Sequence, residues 1–483
     1  MSDTRNSFYL LTDSHFVSKK QWVEGEPFTM RERGDQIALK ASPEILDAFI
    51  EKILADDETE VVIFTGDNVN NGDMESHYGF RERLERLTQA GKKVYVTTAT
   101  HDYCGAGDDE NGFSACRYTA TGTEPCEFMR KSELLGFYYD YGPKQALSLH
   151  EPSGSYVVQV GPGVRLVMIN DNGNGRSHCG LFEDGVKWLG EQIDAGNAAG
   201  DFVLLAVHHP VLPPWEVFRH MADFELYGGY DGLVKMMLEK NVRVVFTGHV
   251  HVHNIRKYAD DSGRWMLDIA TTALVNAAGM MRRVTVDTDS GICDVRSIGF
   301  DAVPGLETNG ESAYEYLYHL NAPGIFEKLV DLAGTDYQAF LSLAKGVLPV
   351  DKLEKHPHLV RWGVKKLKGL KLSTVAKWGG GFGKMAPEMK NDARNKKVWD
   401  ALKVIMKHVY PGDAPFTPET TEYAAFESFI AKLDRLVVRF KIDAVRKLIP
   451  PGSSLAEMAE DFLYNNRTGS DAEISFSLKD GDE

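Results

Sequence analysis

The stretch VVIFTGDNVN, residues 61–70, decides how this chain is read. Val61–Phe64 is an apolar run of strand length, and it stops at Thr65-Gly66-Asp67. A strand apolar on both faces belongs to a sheet covered on both sides. Its surroundings agree. Phe8–Leu11 is a second such run, ending at Asp13-Ser14-His15. Between them, Ser42-Pro43-Glu44 has the chemistry of a helix start, and Ile45, Phe49, Ile50, Ile53 and Leu54 recur at helical spacing. A helix over Phe80–Gln89 and a strand over Lys93–Thr98 complete a β-α-β-α-β layout.

Further on, residues 103–133 are rich in Gly, Thr and Asp and read as a long insertion over one face. Tyr156–Val160 and Val164–Ile169 read as paired strands around Gly161-Pro162-Gly163. A short helix at Trp188–Ile193, a strand Phe202–Val207, a helix near Leu233–Leu238 and a strand Val242–Phe246 follow. Segments 265–272, 281–286 and 292–298 close the unit as antiparallel strands. The fold class is α/β, in a domain spanning 1–303.

Composition then changes. Residues 304–313 form a turn-rich linker, and 314–465 carry helical periodicity at 323–334, 336–345, 392–409, 418–447 and 454–465. The expectation is a C-terminal all-helical domain, packed on the first one. A polar tail, 466–483, follows, in which Ile474–Leu478 alternates like a short returning strand. With 483 residues the chain exceeds one core, since domains run about 100–200 residues. A 43% hydrophobic share excludes disorder and fibres.

Charge narrows the partners. The 54 basic and 70 acidic residues give −16, which argues against a surface that wraps nucleic acid throughout. Yet Lys355–Lys403 holds 13 Lys or Arg against Glu388, Asp392 and Asp400, a local +10. That segment is read as a solvated basic face. The opening MSDTRNSFYLLTDSHF is interrupted by Asp13 and His15 and cannot act as a secretory core. No later run reaches the ~18 apolar residues of a membrane span. Five scattered cysteines without paired spacing suggest reduced thiols, and together these features point to a cytoplasmic protein.

Five segments place Asp or His just after a strand: Asp13-Ser14-His15, Gly66-Asp67-Asn68-Val69-Asn70, Thr100-His101-Asp102, His208-His209-Pro210 and Gly248-His249-Val250-His251. Ligands of α/β sheets gather beyond the carboxyl ends of strands, so these loops should converge. Imidazole mixed with carboxylate suits divalent cations. In an extended D-x-H triplet both side chains face one way, so Asp13 and His15 should grip one ion, and His249 and His251 offer the same arrangement. Asp67 has two oxygens with which to bridge two ions.

The order D-x-H, G-D-x-x-N, T-H-D, H-H-P, G-H-x-H resembles the calcineurin-like metallophosphoesterase superfamily over residues 8–253. The resemblance implies a four-layer sandwich, two mixed β-sheets flanked by helices. It implies two divalent metal ions (Mn, Fe or Zn): Asp13, His15 and His251 on the first, His208 and His249 on the second, and Asp67 between them. His101 then contacts the phosphate and stabilises or protonates the leaving oxygen, with Asp102 orienting it, and Asn70 steadies its loop. Thr100 stands where the family has Asn. Its hydroxyl is a poorer donor than an amide oxygen, so the second site should be weaker or draw a substitute such as Asp108 or Asp109.

The domain order and Asn70-Asn71-Gly72 resemble the bacterial class III cyclic-nucleotide phosphodiesterase-like proteins that append a helical domain. The implied function is hydrolysis of a phosphodiester, a cyclic nucleotide among the candidates, by a metal-activated hydroxide. Phosphomonoester or pyrophosphate hydrolysis is the runner-up. A catalytically weak module that binds nucleotide or nucleic acid is the reading from another class. For substrate contacts the candidates are His209, Tyr103, Trp215 and Phe218, with His77, His178 and His253 as further residues that could approach.

Overall fold

The computed structural model describes residues 4–479 apart from 106–112, 173–177, 222–224, 301, 309, 346–347, 349, 441–445, 447–448, 450–452 and 465–470. The chain divides into two compact units. One comprises Met1–Pro214, Met221–Leu317 and Ala472–Glu483; the other comprises Trp215–His220 and Tyr318–Asp471.

The first unit is built on two mixed sheets. The six-stranded sheet runs, in spatial order, Glu473–Ser477, Ile292–Ile298, Met281–Asp287, Arg5–Leu11, Val61–Thr65, Lys93–Thr97. Its last three strands are parallel, with Phe8 opposite Val61 and Val61 opposite Lys93. The seven-stranded sheet runs Asn254–Ala259, Trp265–Ala270, Val244–Thr247, Phe202–Ala206, Val164–Met168, Ser155–Gly161, Ser148–His150. Here Val164–Met168, Phe202–Ala206, Val244–Thr247 and Trp265–Ala270 are parallel neighbours.

One core lies between the sheets. Phe8, Leu10 and Ile63 from the first meet Val158, Leu166, Leu204, Phe246 and Ile269 from the second, all essentially buried. Phe8 and Phe246 touch edge to face at 5.7 Å. A second core lies outside the seven-stranded sheet, where Val167, Leu205 and Val245 meet Trp188, Ile193, Leu233 and Met237 from helices Glu183–Ala199 and Tyr230–Glu239. Helices Ser42–Leu54 and Met74–Gln89 cover the other sheet; Phe80 packs on Phe64 at 5.2 Å. The layers are helix, sheet, sheet, helix, the arrangement that lets strands such as Val61–Thr65 be buried on both faces.

The tail strand Glu473–Ser477 adds to the edge of the six-stranded sheet, opposite Ile292–Arg296, and buries Phe476. Four short or polar strands are absent from the sequence reading: Cys116–Tyr118 with Thr123–Pro125, Ser148–His150, and the edge strand Asn254–Ala259. None carries an apolar run.

The second unit is helical, with helices including Ala322–Thr335, Tyr337–Ala344, Val350–Lys355, Pro357–Gly369, Leu372–Gly379, Pro387–Asn395, Val398–His408, Thr421–Phe440 and Leu455–Leu463. The expected 392–409 helix is broken at Lys396–Lys397, where Lys371 and Lys397 form a bridge. The unexpected member is Trp215–His220. Trp215 packs on Phe462 (5.1 Å), Glu216 N donates to Asp461 Oδ2 (2.6 Å), and Ser453 Oγ donates to Glu216 Oε2 (2.7 Å). Trp215 and Phe218, read from the sequence as candidates for substrate contacts, are therefore packing residues of the helical unit. No helix among the described residues is long and apolar enough to cross a membrane.

Candidate metal centre

Each motif sits where the fold needs it. Asp13, Asp67, Thr100, His208 and His249 follow, within a few residues, the strands Arg5–Leu11, Val61–Thr65, Lys93–Thr97, Phe202–Ala206 and Val244–Thr247. Backbone bonds zip the loops together: Asp13 N to Gly66 O (3.1 Å), His15 N to Asp67 O (3.0 Å), Gly248 N to His208 O (2.9 Å). Two contacts stitch one sheet to the other, His249 N to Asp13 Oδ2 (3.0 Å) and His208 Nδ1 to Thr65 O (2.9 Å). Gly248 leaves room for this approach, since a Cβ there would lie 2.1 Å from Thr12 Oγ1 and 2.6 Å from Asp13 Oδ2.

The side chains converge by a different route from the one the sequence suggests. Strand alternation predicts an extended D-x-H. Instead Asp13, His15, Asp67, His249 and His251 have φ of 49°, 39°, 48°, 66° and 57°. These are left-handed conformations that non-glycine residues rarely adopt. Left-handed single residues turn the chain sharply, and here they aim successive donors at one point. Such strain collects at functional sites.

The donors form three overlapping groups, Asp13/His15/His251, His15/Asp67/His101 and Asp67/His208/His249, each with its donor atoms within 4.8 Å of one another. Asp13 Oδ1 lies 3.3 Å from His251 Nε2 and 3.7 Å from both His15 Nε2 and His208 Nε2. His208 Nε2 lies 3.0 Å from Asp67 Oδ2, and His15 Nε2 lies 3.0 Å from His251 Nε2. Asp13 Oδ1 and His208 Nε2 are buried without a hydrogen-bond partner. Buried donors and acceptors normally find partners, so orphaned atoms facing one another fit a pair of divalent cations. The groups share His15 and Asp67, as a binuclear centre requires.

Tautomers support the fit. His15 Nδ1 donates to Asn70 Oδ1 (3.3 Å) and His208 Nδ1 to Thr65 O (2.9 Å), so each Nε2 keeps its lone pair for a cation. Burial opposes charge on Asp13 and Asp67, but the imidazoles outweigh it: His208 and His15 for Asp13, His208 and His101 for Asp67. Both carboxyls are held well below the usual carboxylate range. Burial likewise opposes charge on His208, yet Asp67 and Asp13 push it up to about 10. Cation and proton compete for that nitrogen.

Two readings of the third motif change. Asp102 does not orient the His101 ring. Its Oδ1 accepts from Asn68 N (2.8 Å) and Val69 N (3.0 Å), and its Oδ2 from Ala99 N (2.8 Å) and Asn68 Nδ2 (3.1 Å). It staples the Asp67 loop to the Thr100 turn. Replacing Asp102 by Ala leaves these buried donors without acceptors, at about 1–3 kcal/mol each. Urea unfolding of Asp102→Ala is expected to show a loss of about 4 kcal/mol or more, and a loss below about 1 kcal/mol would contradict the staple. His101 is driven well below its ordinary value by burial, against the pull of Asp67. A neutral imidazole suits hydrogen bonding better than proton donation.

His209 is buried and tied to Asp171 Oδ2 through Nδ1 (2.9 Å) and its backbone N (2.8 Å), with its ring 4.0 Å from that of His249. Tyr103 is fully buried. His77 bonds Asp102 O (2.8 Å) and Tyr138 Oη (2.7 Å) beneath the site. His253 turns into the core, accepting from Thr272 N and meeting Ser297 Oγ. His178 stacks on Phe182 and bonds Leu181 O. Asp108 and Asp109 lie outside the described residues.

Three residues at the centre escaped the sequence reading. Phe113, from the insertion, packs over His101 at 4.0 Å. Arg31, paired with Asp35 at 2.8 Å, donates to Asn71 Oδ1 (3.1 Å), next to Asn70. Glu225 lies 3.3 Å from His249 Nε2. None belongs to a motif, so only the fold could reveal them.

A family model described as calcineurin-like phosphoesterase matches residues 7–253, just over half the chain. No curated protein matches it. Among solved structures, a dimetal phosphatase from Danio rerio is 13% identical, covering 61% of this chain and 96% of its own, with a TM-score of 0.43. Purple acid phosphatase PPD1 from yellow lupin (Lupinus luteus) is 10% identical, covering 61% and 51%, with a TM-score of 0.39. An NAD nucleotidase from Haemophilus influenzae is 11% identical, covering 76% and 61%, at 0.30. These are too distant to speak for substrate. The family match and the converging donors together show that the chain belongs to the calcineurin-like phosphoesterase family and is a metal-dependent phosphoesterase.

Proposed function

We propose that this chain hydrolyses a phosphodiester, with a cyclic nucleotide as the candidate substrate, in the manner of class III cyclic-nucleotide phosphodiesterase-like proteins. The observation that carries the hydrolytic reading is the set of donor groups sharing Asp67. In this reading Asp13, His15 and His251 hold one cation, His208 and His249 the other, and Asp67 both. Bound there, two divalent cations supply an activated water and neutralise developing charge on the phosphoryl oxygens. Asn70 and Thr65 fix the ring orientation of His15 and His208. His101, neutral and half-buried, offers an N–H to the leaving oxygen. The preference for a diester rests on charge: Arg31 is already paired with Asp35, and a singly charged diester asks less of the cations than a doubly charged monoester. A cytoplasmic location belongs to the same proposal.

The test is turnover of bis(p-nitrophenyl) phosphate against p-nitrophenyl phosphate in the presence of Mn²⁺, followed by cyclic nucleotides. Preference for the monoester would overturn the diester reading; turnover of neither with metal bound would favour a binding module.

Thr100 sets a second expectation. It precedes His101, whose backbone N donates to Asp67 Oδ1 (2.9 Å), in the turn stapled by Asp102. Thr100→Asn restores a carbonyl oxygen, so the Mn²⁺ activation curve should move to lower concentration. A shift to higher concentration would show that the second cation already has a full donor set.

A further inference from the structure

The second donor group, Asp67/His208/His249, is the leaner one, because Thr100 replaces an amide donor. His249 also has the least ordinary surroundings. Its backbone N is held by Asp13 Oδ2 (3.0 Å), its ring lies 4.0 Å from that of His209, and its buried Nε2, which makes no hydrogen bond of good geometry, lies 3.3 Å from Glu225 Oε2. Glu225 does not join the donor group, which closes within 4.8 Å on Asp67, His208 and His249. An imidazole meets a cation through one nitrogen at a time. With Nε2 turned toward Glu225, Nδ1 is the nitrogen left for the cation.

Glu225 is placed there by rigid neighbours. Leu226 and Tyr227, next in the chain, are buried; Tyr227 N donates to Pro210 O (2.8 Å) and Tyr227 Oη accepts from Leu181 N (3.1 Å). Pro210 itself follows His208-His209, so one loop positions both a donor and the carboxylate behind another donor.

We propose that Glu225 is a positioning residue for the second cation: it accepts the Nε2 proton of His249, fixes the tautomer that presents Nδ1, and raises the basicity of that nitrogen. Outer carboxylates of this kind typically contribute 10–100-fold in metal affinity. The carboxylate thereby offsets part of what Thr100 withholds. This rests on the binuclear reading of the site given above.

The experiment is titration of the full-length metal-free protein with Mn²⁺, counting free ion by its EPR signal. Wild type should show two binding steps. Glu225→Ala should weaken the second by roughly 10–100-fold and leave the first unchanged, and Glu225→Gln, which keeps an accepting oxygen without the charge, should fall between. In a His249→Ala background, Glu225→Ala should add nothing. An unchanged second step in Glu225→Ala, or an equal loss with and without His249, overturns the proposal. A wild-type chain that takes up a single cation overturns the binuclear reading and this proposal with it, and is told apart by the missing second step.

Discussion

Asp67→Asn is expected to lower diesterase turnover by about 10³-fold or more, because the substitution removes the one carboxylate common to two of the three overlapping donor groups while keeping its shape. Turnover near wild type with two ions bound would remove Asp67 as the bridge. The amide is preferable to alanine for a structural reason. Asp67 is 1% exposed, and its Oδ1 accepts from His101 N at 2.9 Å. Alanine would leave that donor without its acceptor and remove the carboxylate 3.0 Å from His208 Nε2, and a loss of activity could then be a loss of fold.

His101→Ala is expected to cut kcat by about 10²-fold with metal content unchanged. The ring is what acts on the leaving oxygen; the bond to Asp67 comes from the His101 backbone and survives the substitution. The ring also stands among the donors of His15 and Asp67, and this makes metal content the deciding measurement. Loss of one ion per chain on His101→Ala would make His101 a ligand.

What the sequence revealed and what it hid follow from the physics of each element. Strands buried on both faces, such as Val61–Thr65 and Val244–Thr247, announce themselves as apolar runs. The polar edge strand Asn254–Ala259 does not, because only its first two residues are buried. Helices between 350 and 379 were masked by lysines, although Val360, Val364, Leu372 and Val375 face inward at helical spacing. At the metal centre the residue types were legible because chemistry restricts them, and their order along the chain followed the strand ends. The backbone beneath them was not, since neither Asp13 nor His249 is a glycine that would signal a left-handed turn. Asp102 was misjudged for a related reason: a carboxylate beside a histidine suggests an orienting partner, whereas the structure spends it on four donors from neighbouring loops.

The left-handed residues also bear on how such a chain changes over time. Asp13, His15, Asp67, His249 and His251 each hold a conformation that disfavours an L side chain by roughly 1–2 kcal/mol. Glycine at any of the five would relax the backbone and delete a donor in one step. Drift toward greater stability therefore runs straight through the loss of the metal site, and only continued demand for the cations holds those five positions against it. A descendant freed from that demand should lose its activity first by turning these residues into glycines, with its two sheets and their common core intact.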